Sequence, residues 1–262
     1  MTLGVGIALV LIGSAAGLLG GLIGTGGCSV MLPIIHFWMG FETPVAVGTT
    51  LFAVIFTAVS GAWGHLKRRN LDVNAALWLG GGGILGVILG SWLFLLFVHQ
   101  TEALGLVLGV VFLWPAARMI WEGVFQCRTP EREGSTISGP RWGLASFGFA
   151  VGVATGIAGL GGGYALVPGL IYLFGAPVYV TMGTSLATMI PLAVIGGSIK
   201  LAQGYVDLPA GLLLALGTIG GAQVGARIIK HFKPATLKLI FGLYFLYVSL
   251  KFITGFFGLR IW

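Results

Sequence analysis

The sequence predicts an all-α, polytopic membrane protein composed of two inverted repeats. Three observations lead to this prediction: the chain is strongly apolar, its apolar residues form long runs, and its second half repeats its first. Each repeat is expected to contain a Gly-broken helix pair, discontinuous or re-entrant, and three spanning helices. The predicted boundaries within one transmembrane domain are about 3–125 for repeat 1, 126–140 for a cytoplasmic linker and 141–258 for repeat 2.

The composition sets the class of protein. Of the 262 residues, 57% are apolar and 8% are charged, whereas about a quarter of the residues in soluble domains are charged. Because so few charges cannot solvate a whole surface, lipid is expected to replace water around much of the molecule. The net charge of +7 does not indicate a nucleic-acid partner, because the basic residues lie at the ends of apolar runs, as in cytoplasmic loops.

The apolar runs have the length of membrane spans. Most contain 20 to 26 residues, and roughly 20 cross a hydrocarbon core about 30 Å thick. The run over 3–39 is too long, since a continuous helix would extend roughly 55 Å. Both long runs contain a glycine cluster, at Gly24–Gly27 and Gly159–Gly163, so each is predicted to form two helical pieces. The runs cover about 3–39, 43–64, 73–98, 102–125, 142–174, 178–199, 208–229 and 235–258.

An internal repeat relates the two halves. When position 13 is placed on position 148, the chain aligns with itself without a gap, and 26 of 79 positions are identical between 13–91 and 148–226. Two residues paired by this alignment are called equivalent below. Glycine-rich helices match by chance at about a tenth of positions, given ordinary apolar frequencies. A gapless match that also pairs prolines and aspartates is much harder to obtain that way, so the chain is predicted to be a duplication.

The basic residues predict how the halves are oriented. The cluster over 65–69 and the basic central linker are expected to be cytoplasmic. In the second half the basic residues surround the loop after 208–229, and the equivalent first-half loop at 99–100 has neither Lys nor Arg. The basic residues thus lie at opposite helix ends in the two halves, which is typical of inverted-topology repeats. The alternative is one kinked crossing per long run, giving eight spans and parallel halves.

The glycine breaks form the predicted substrate site. A helix broken at membrane depth exposes backbone N–H and C=O groups that lipid cannot satisfy, so they must face protein or a polar cavity. The helices beginning after Gly27 and Gly163 would direct their N-terminal N–H groups and positive dipole ends into that cavity. Two such ends near the midplane make an anion site without a formal charge. The alternative is that the glycines only allow close packing. The predicted substrate-binding residues are Gly24, Thr25, Gly26, Gly27, Thr49, Thr50, Gly159, Gly161, Gly162, Gly163, Thr184 and Ser185.

The four hydroxyl residues enter this site because each pair, Thr49-Thr50 and Thr184-Ser185, follows a glycine near the start of its helix. Their hydroxyl groups are suited to bind an oxyanion or a coupling ion. The alternative is that they bond back to carbonyl groups of their own helices, as Ser and Thr in membrane helices commonly do.

Few ionisable residues fall inside the runs. Asp72 and Asp207 are equivalent and stand at helix starts, which predicts N-capping for both. Lys200 is expected near the membrane face opposite the basic loop, where one candidate role is to attract anions. Cys28 follows the first break, and because its equivalent is Gly163 it is interpreted as a small packing residue.

No motif predicts catalysis. The sequence has no Walker A motif and no Gly-x-Ser-x-Gly, so neither ATP-driven transport nor hydrolysis is expected. The chain is predicted not to be an enzyme, and no cofactor or metal is predicted.

The paired segments resemble those of the TauE/SafE family of sulfite exporters. The shared pattern is Gly-x-Gly-Gly, then a proline, then Gly-Thr-Thr or Gly-Thr-Ser, and the resemblance covers nearly the whole chain. Cys28 departs from the fuller Gly-Gly-Gly form. The segments that carry the resemblance are Gly21–Gly27, Pro33 and Gly48–Thr50 in the first half, and Gly156–Gly163, Pro168 and Gly183–Ser185 in the second.

The resemblance implies a multi-pass permease of the cytoplasmic membrane for sulfite or organosulfonates, driven by an ion gradient. We therefore expect a secondary transporter for small sulfur-containing anions, with alternating access around substrate bound at the breaks. The alternative is an anion channel without ion coupling. The expected partners are the lipid bilayer, a small anion of the sulfite or sulfonate class and a coupling ion, either proton or sodium. Assembly into a homo-oligomer is left open.

Overall fold

The computed structural model describes residues 3–98, 100–125, 134, 136–228 and 234–257, which form helices joined by turns and contain no strand. These residues form ten helices, and both long apolar runs are broken where the glycine clusters predicted. The helices are α1 (Leu3–Ile23), α2 (Cys28–Phe37), α3 (Thr43–Leu66), α4 (Val73–Phe97), α5 (Thr101–Phe125), α6 (Arg141–Ala158), α7 (Gly163–Leu173), α8 (Val178–Ala202), α9 (Leu208–Ile228) and α10 (Pro234–Phe256).

Five of these helices, α1, α3, α4, α8 and α9, are long and apolar enough to cross a membrane. The remaining pieces include the short apolar helices α2 and α7, which follow the two breaks. The chain is thus a multi-pass membrane protein, as its composition predicts. Residues 126–133 and 135 of the predicted linker, His99, residues 229–233 and residue 258, the predicted end of repeat 2, lie outside the described residues.

Small residues bring α1 against α9. A methyl group at Gly17 would lie 2.6 Å from the Cα atom of Thr218, and one at Gly21 would lie 2.8 Å from the Cα atom of Ala222. The two backbones are therefore in direct contact, with no room for side chains between them. Such close approach is how membrane helices gain van der Waals contact when no hydrophobic effect drives them together.

The same interface recurs between α4 and α6, at the equivalent positions of the repeat. A methyl group at Gly152 would lie 3.0 Å from the Cα atom of Gly83, and Gly152 is the equivalent of Gly17. In both interfaces a helix of one half packs against a helix of the other half. The two halves are therefore interlocked rather than placed side by side.

The equivalent helices α3 and α8 pack against each other in opposite directions. A methyl group at Gly61 would lie 2.9 Å from a Leu186 methyl carbon, and one at Gly196 would lie 2.9 Å from a Leu51 methyl carbon. Contact pairs in which one residue number rises as the other falls define an antiparallel pair. These two contacts also exchange when each residue is replaced by its equivalent.

The predicted N-caps are confirmed. The Asp72 carboxylate accepts the N–H of Ala75 at 3.0 Å, and Asp207 accepts the N–H of Ala210 at the same distance. Asp72 also accepts the N–H of Ile137 at 2.7 Å, which ties the segment before α6 to the start of α4. Each carboxylate satisfies a donor that the first turn of a helix leaves without an intrahelical partner.

Candidate substrate-binding site

The two breaks have the same backbone geometry. The N-cap residues of α2 and α7 are Gly27, with φ of 75°, and Gly162, with φ of 86°. Both values lie in the left-handed region, which side chains with a Cβ atom rarely adopt. No side chain caps either helix, so the first-turn N–H groups of α2 and α7 depend on other partners.

At each break the chain turns back along the helix that it has just left. A methyl group at Gly27 would lie 2.7 Å from the carbonyl carbon of Ala16, about three turns back along α1. One at Gly162 would lie 2.8 Å from a methyl carbon of Val151, the equivalent of Ala16. Each glycine cluster is therefore a hairpin turn that lies deep against its own helix.

The two breaks meet each other. A methyl group at Gly163 would lie 2.5 Å from the Cα atom of Thr25, so the N-terminus of α7 abuts the first break. In the other direction, the Cys28 thiol at the start of α2 donates to the carbonyl of Leu160 in the second break. The structure thus brings together the glycines that the repeat singled out. Every residue from Gly20 to Pro33, and from Ala158 to Tyr164, is buried.

Two equivalent apolar side chains close over both breaks. Val54 of α3 and Met189 of α8 each contact the first break and the second. The Val54 methyl carbon lies 3.5 Å from a methyl position at Gly26 and 3.0 Å from one at Gly161. The antiparallel pair of α3 and α8 therefore forms one wall of the site.

Among the predicted hydroxyl residues, Ser185 reaches a break directly. Its hydroxyl lies 2.8 Å from the Gly24 carbonyl and 2.9 Å from that of Met182. Its equivalent, Thr50, bonds within its own helix and donates to the Ala46 carbonyl at 2.7 Å. The backbone-bonding alternative thus describes Thr50 fully and Ser185 in part, since Ser185 reaches a carbonyl of its own helix as well as the first break.

Thr49 and Thr184 face the other half of the protein instead. The Thr49 hydroxyl oxygen accepts the backbone N–H of Asp207, and that of Thr184 accepts the N–H of Asp72, both at 2.9 Å. Both threonines are fully buried. Their hydroxyl groups hold Asp207 and Asp72, the N-cap residues of α9 and α4.

Two hydroxyl residues outside the predicted set lie at the breaks. Ser29 and Tyr164 are the second residues of α2 and α7, and they are equivalent under the repeat. They are 1% and 6% exposed, and neither hydroxyl oxygen has a hydrogen-bond partner. Thr155, one turn before the second break, also has an unpartnered hydroxyl. Matching by identical residues overlooks this pair, although both members carry a hydroxyl group directly after the glycines.

The breaks present two kinds of group, hydrogen-bond donors and carbonyl acceptors. Helix N-termini present N–H donors and a partial positive charge, and hydroxyl groups add further donors, so the site can bind a small oxyanion. The C-terminal ends of α1 and α6 present carbonyl groups at the same place, which suit a cation. Among the described residues, no group of three His, Cys, Asp or Glu side chains is arranged to hold a metal ion.

Comparison with known sequences identifies the family. The sequence model described as "Sulfite exporter TauE/SafE" matches residues 9–252. The chain belongs to the TauE/SafE family. This TauE/SafE protein is a membrane transporter with a small anion as its class of substrate, and the family indicates transport rather than enzymatic activity.

Relatives with similar lengths come from bacteria and an archaeon. The "Probable membrane transporter protein YdhB" of Bacillus subtilis is 27% identical over 230 residues, which cover 88% of this chain and 93% of YdhB. YjnA of the same organism, also called a probable membrane transporter protein, is 27% identical over 94% of this chain and 99% of its own. MJ0441 of Methanocaldococcus jannaschii, another probable membrane transporter protein, is 27% identical over 88% of this chain and 89% of its own. No solved structure matches this TauE/SafE protein significantly.

Proposed function

We propose that this TauE/SafE protein is a secondary transporter of the cytoplasmic membrane that carries sulfite or small organosulfonates. The single observation that carries the proposal is the meeting of the two breaks, each followed by a helix N-terminus without a side-chain cap. Sulfite and sulfonate groups each present three oxygens that accept hydrogen bonds. Uncapped N–H groups from two helices supply donors for such a group without placing a formal charge in the membrane.

The proposed binding residues are those of the breaks together with the hydroxyl groups around them. Within the predicted set, Thr25, Gly26 and Gly27 in the first break and Gly161, Gly162 and Gly163 in the second supply backbone donors. The N–H groups of Gly24 and Gly159 already bond to the carbonyl oxygens of Gly20 and Thr155. Ser29 and Tyr164 supply hydroxyl groups that are free to donate. Ser185 holds the Gly24 carbonyl and so positions the first break, and Thr50 supports the start of α3.

The antiparallel packing of α3 and α8 supports inverted halves. When two equivalent helices cross a membrane in opposite directions, the axis that relates them lies in the membrane plane. Each break then forms a re-entrant hairpin from one side, and the halves can rock about the shared site to expose it alternately. This interpretation agrees with the exchange of basic loop residues between the halves.

Burial of both breaks favours a carrier over a channel. A channel needs a continuous aqueous path, whereas Val54 and Met189 cover the glycines on α3 and α8. We propose that a proton or sodium gradient drives the cycle. The carbonyl ends of α1 and α6 at the breaks are suited to bind a sodium ion.

Uptake of radiolabelled sulfite and of a two-carbon sulfonate into proteoliposomes tests this function, with imposed proton or sodium gradients. Gly162→Ala should abolish uptake, because its methyl group would lie 2.8 Å from Val151 and 2.9 Å from the Thr155 hydroxyl oxygen. Gly40→Ala is the matched control, since Gly40 also has a positive φ, of 74°, but has open space around it. Equal uptake by Gly162→Ala and the parent protein would exclude the breaks as the site, and gradient-independent currents would indicate a channel.

A further inference from the structure

Lys200 is a buried basic residue near the end of a spanning helix. Its side chain is fully buried, and no hydrogen-bond acceptor in the described part of the chain reaches its Nζ atom. The ammonium nitrogen lies 3.0 Å from the ring centroid of Phe94, which is itself fully buried. A ring face attracts a cation, but it supplies no anion to balance the charge.

A charge in this position requires an explanation. An unpaired ammonium group out of water is strongly unfavourable, and ionisable residues inside membrane segments typically mark substrate pathways. Lysine often reaches the interface with its long side chain. Full burial of Lys200 shows that this does not happen here. Because no described residue supplies the partner, it is expected to be an anion that binds from outside the described part of the chain.

Lys200 and the second break pack against the same segment of α3. A methyl group at Gly48 would lie 3.4 Å from the Lys200 Cβ atom, and the neighbouring Val47 contacts Gly159. Lys200 lies about three turns beyond Met189 in α8, or about 16 Å along the helix axis, and is therefore nearer the end of α8 than the side chain that covers both breaks. An anion at Lys200 would thus lie between one end of the molecule and the proposed binding site.

The repeat places a second basic residue at the equivalent position. The equivalent of Lys200 is His65, near the end of α3, and His65 lies as far beyond Val54 as Lys200 lies beyond Met189. His65 is also fully buried, with Nε2 2.9 Å from the Gly21 carbonyl and with Nδ1 unpartnered. Lys200 and His65 are the only buried basic side chains in the described part of the protein. Because α3 and α8 are antiparallel, they lie on opposite sides of the breaks.

We propose that Lys200 binds the anionic substrate on its way between one face of the membrane and the helix breaks. This proposal rests on the proposed function, because it takes the transported anion as the ligand. Oxyanions of the sulfite and sulfonate type satisfy the ammonium group by charge-assisted hydrogen bonds. The Phe94 ring holds the side chain in place, and the opposite half supplies His65 as the counterpart.

Anion-dependent thermal stabilisation of the purified protein tests the role of Lys200. Sulfite, ethanesulfonate and chloride are titrated against the parent protein, Lys200→Met and Lys200→Gln, and unfolding is followed by tryptophan fluorescence. We expect the Lys200 variants to bind sulfite or sulfonate about 10- to 100-fold more weakly, as for other hydrogen bonds to charged groups. Without anion, Lys200→Met should be at least as stable as the parent, since it removes an unpaired buried charge.

Lys251→Met is the matched control. Lys251 also lies over a phenylalanine ring, 4.6 Å from the centroid of Phe37, but its Nζ donates to the Tyr247 hydroxyl at 3.4 Å and it is only partly buried. This variant should retain full affinity. Unchanged affinity in both Lys200 variants, or an equal loss in Lys251→Met, would overturn the assignment while leaving the proposed function intact. Failure of the parent protein to bind any of the three anions would overturn both.

Discussion

The hydroxyl oxygen of Thr49 lies 2.9 Å from the backbone nitrogen of Asp207 and accepts its N–H. The equivalent bond between Thr184 and Asp72 has the same length. Each bond links the first turns of a spanning helix in one half to an N-cap in the other half. The halves are thus joined at two related points, on either side of the helix breaks.

The first prediction concerns the stability that this bond provides. Thr49→Val keeps the shape of the side chain but leaves the partly buried N–H of Asp207 without this acceptor, so we expect a loss of about 1 kcal/mol in the free energy of unfolding. Thr49→Ser keeps the hydroxyl group and should retain most of this stability. Thermal unfolding in detergent measures both variants. If Thr49→Val unfolds like the parent protein but no longer transports sulfite, the Thr49 hydroxyl group contacts the substrate and does not hold the N-cap residue Asp207.

The second prediction concerns the unpartnered hydroxyl groups at the breaks. Ser29→Ala and Tyr164→Phe remove donors that have no partner in the structure, so neither should lower stability. Each should raise the KM for sulfite roughly 2- to 10-fold, as loss of one hydrogen bond to the substrate would. Uptake kinetics in proteoliposomes provide the measurement. Wild-type KM values in both variants would show that these hydroxyl groups do not contact the anion.

The breaks were predictable from the sequence, whereas their surroundings were not. Gly27 and Gly162 adopt positive φ values that few other residues accept, so the backbone constraint is visible as a repeated glycine. The bond from Asp207 to Thr49 depends on which loop of the other half approaches α3, and no local pattern records that. Ser29 and Tyr164 do not stand out in the internal alignment because they share a hydroxyl group but are different amino acids.

The third prediction tests the glycine contacts between α1 and α9. Gly217→Ala would place its methyl group 2.6 Å from the backbone nitrogen of Ser14 and 2.9 Å from the carbonyl carbon of Gly13. Forcing the two backbones apart should cost about 1–3 kcal/mol, as in other overpacked interfaces. Gly220→Ala on the same helix has open space around it and should be neutral. Equal unfolding temperatures for the two variants would contradict direct backbone contact.

The fourth prediction tests whether the halves are inverted in the membrane. Lys67 and Ala202 are equivalent under the repeat, and both are exposed, next to the end of α3 and at the end of α8. Single cysteines at these positions, introduced after Cys28 and Cys127 are replaced by serine, are treated with a membrane-impermeant maleimide. Inverted halves should label Lys67→Cys from the cytoplasmic side only and Ala202→Cys from the opposite side only.

Equivalent positions make this a sharp comparison, because parallel halves would place both cysteines on the same side whatever the orientation of the whole protein. The antiparallel contacts of Gly61 with Leu186 and of Gly196 with Leu51 require opposite sides if α3 and α8 both cross the bilayer. Labelling of both cysteines from one side would therefore exclude a two-fold axis in the membrane plane. Rocking of inverted halves around the breaks would then be excluded as well.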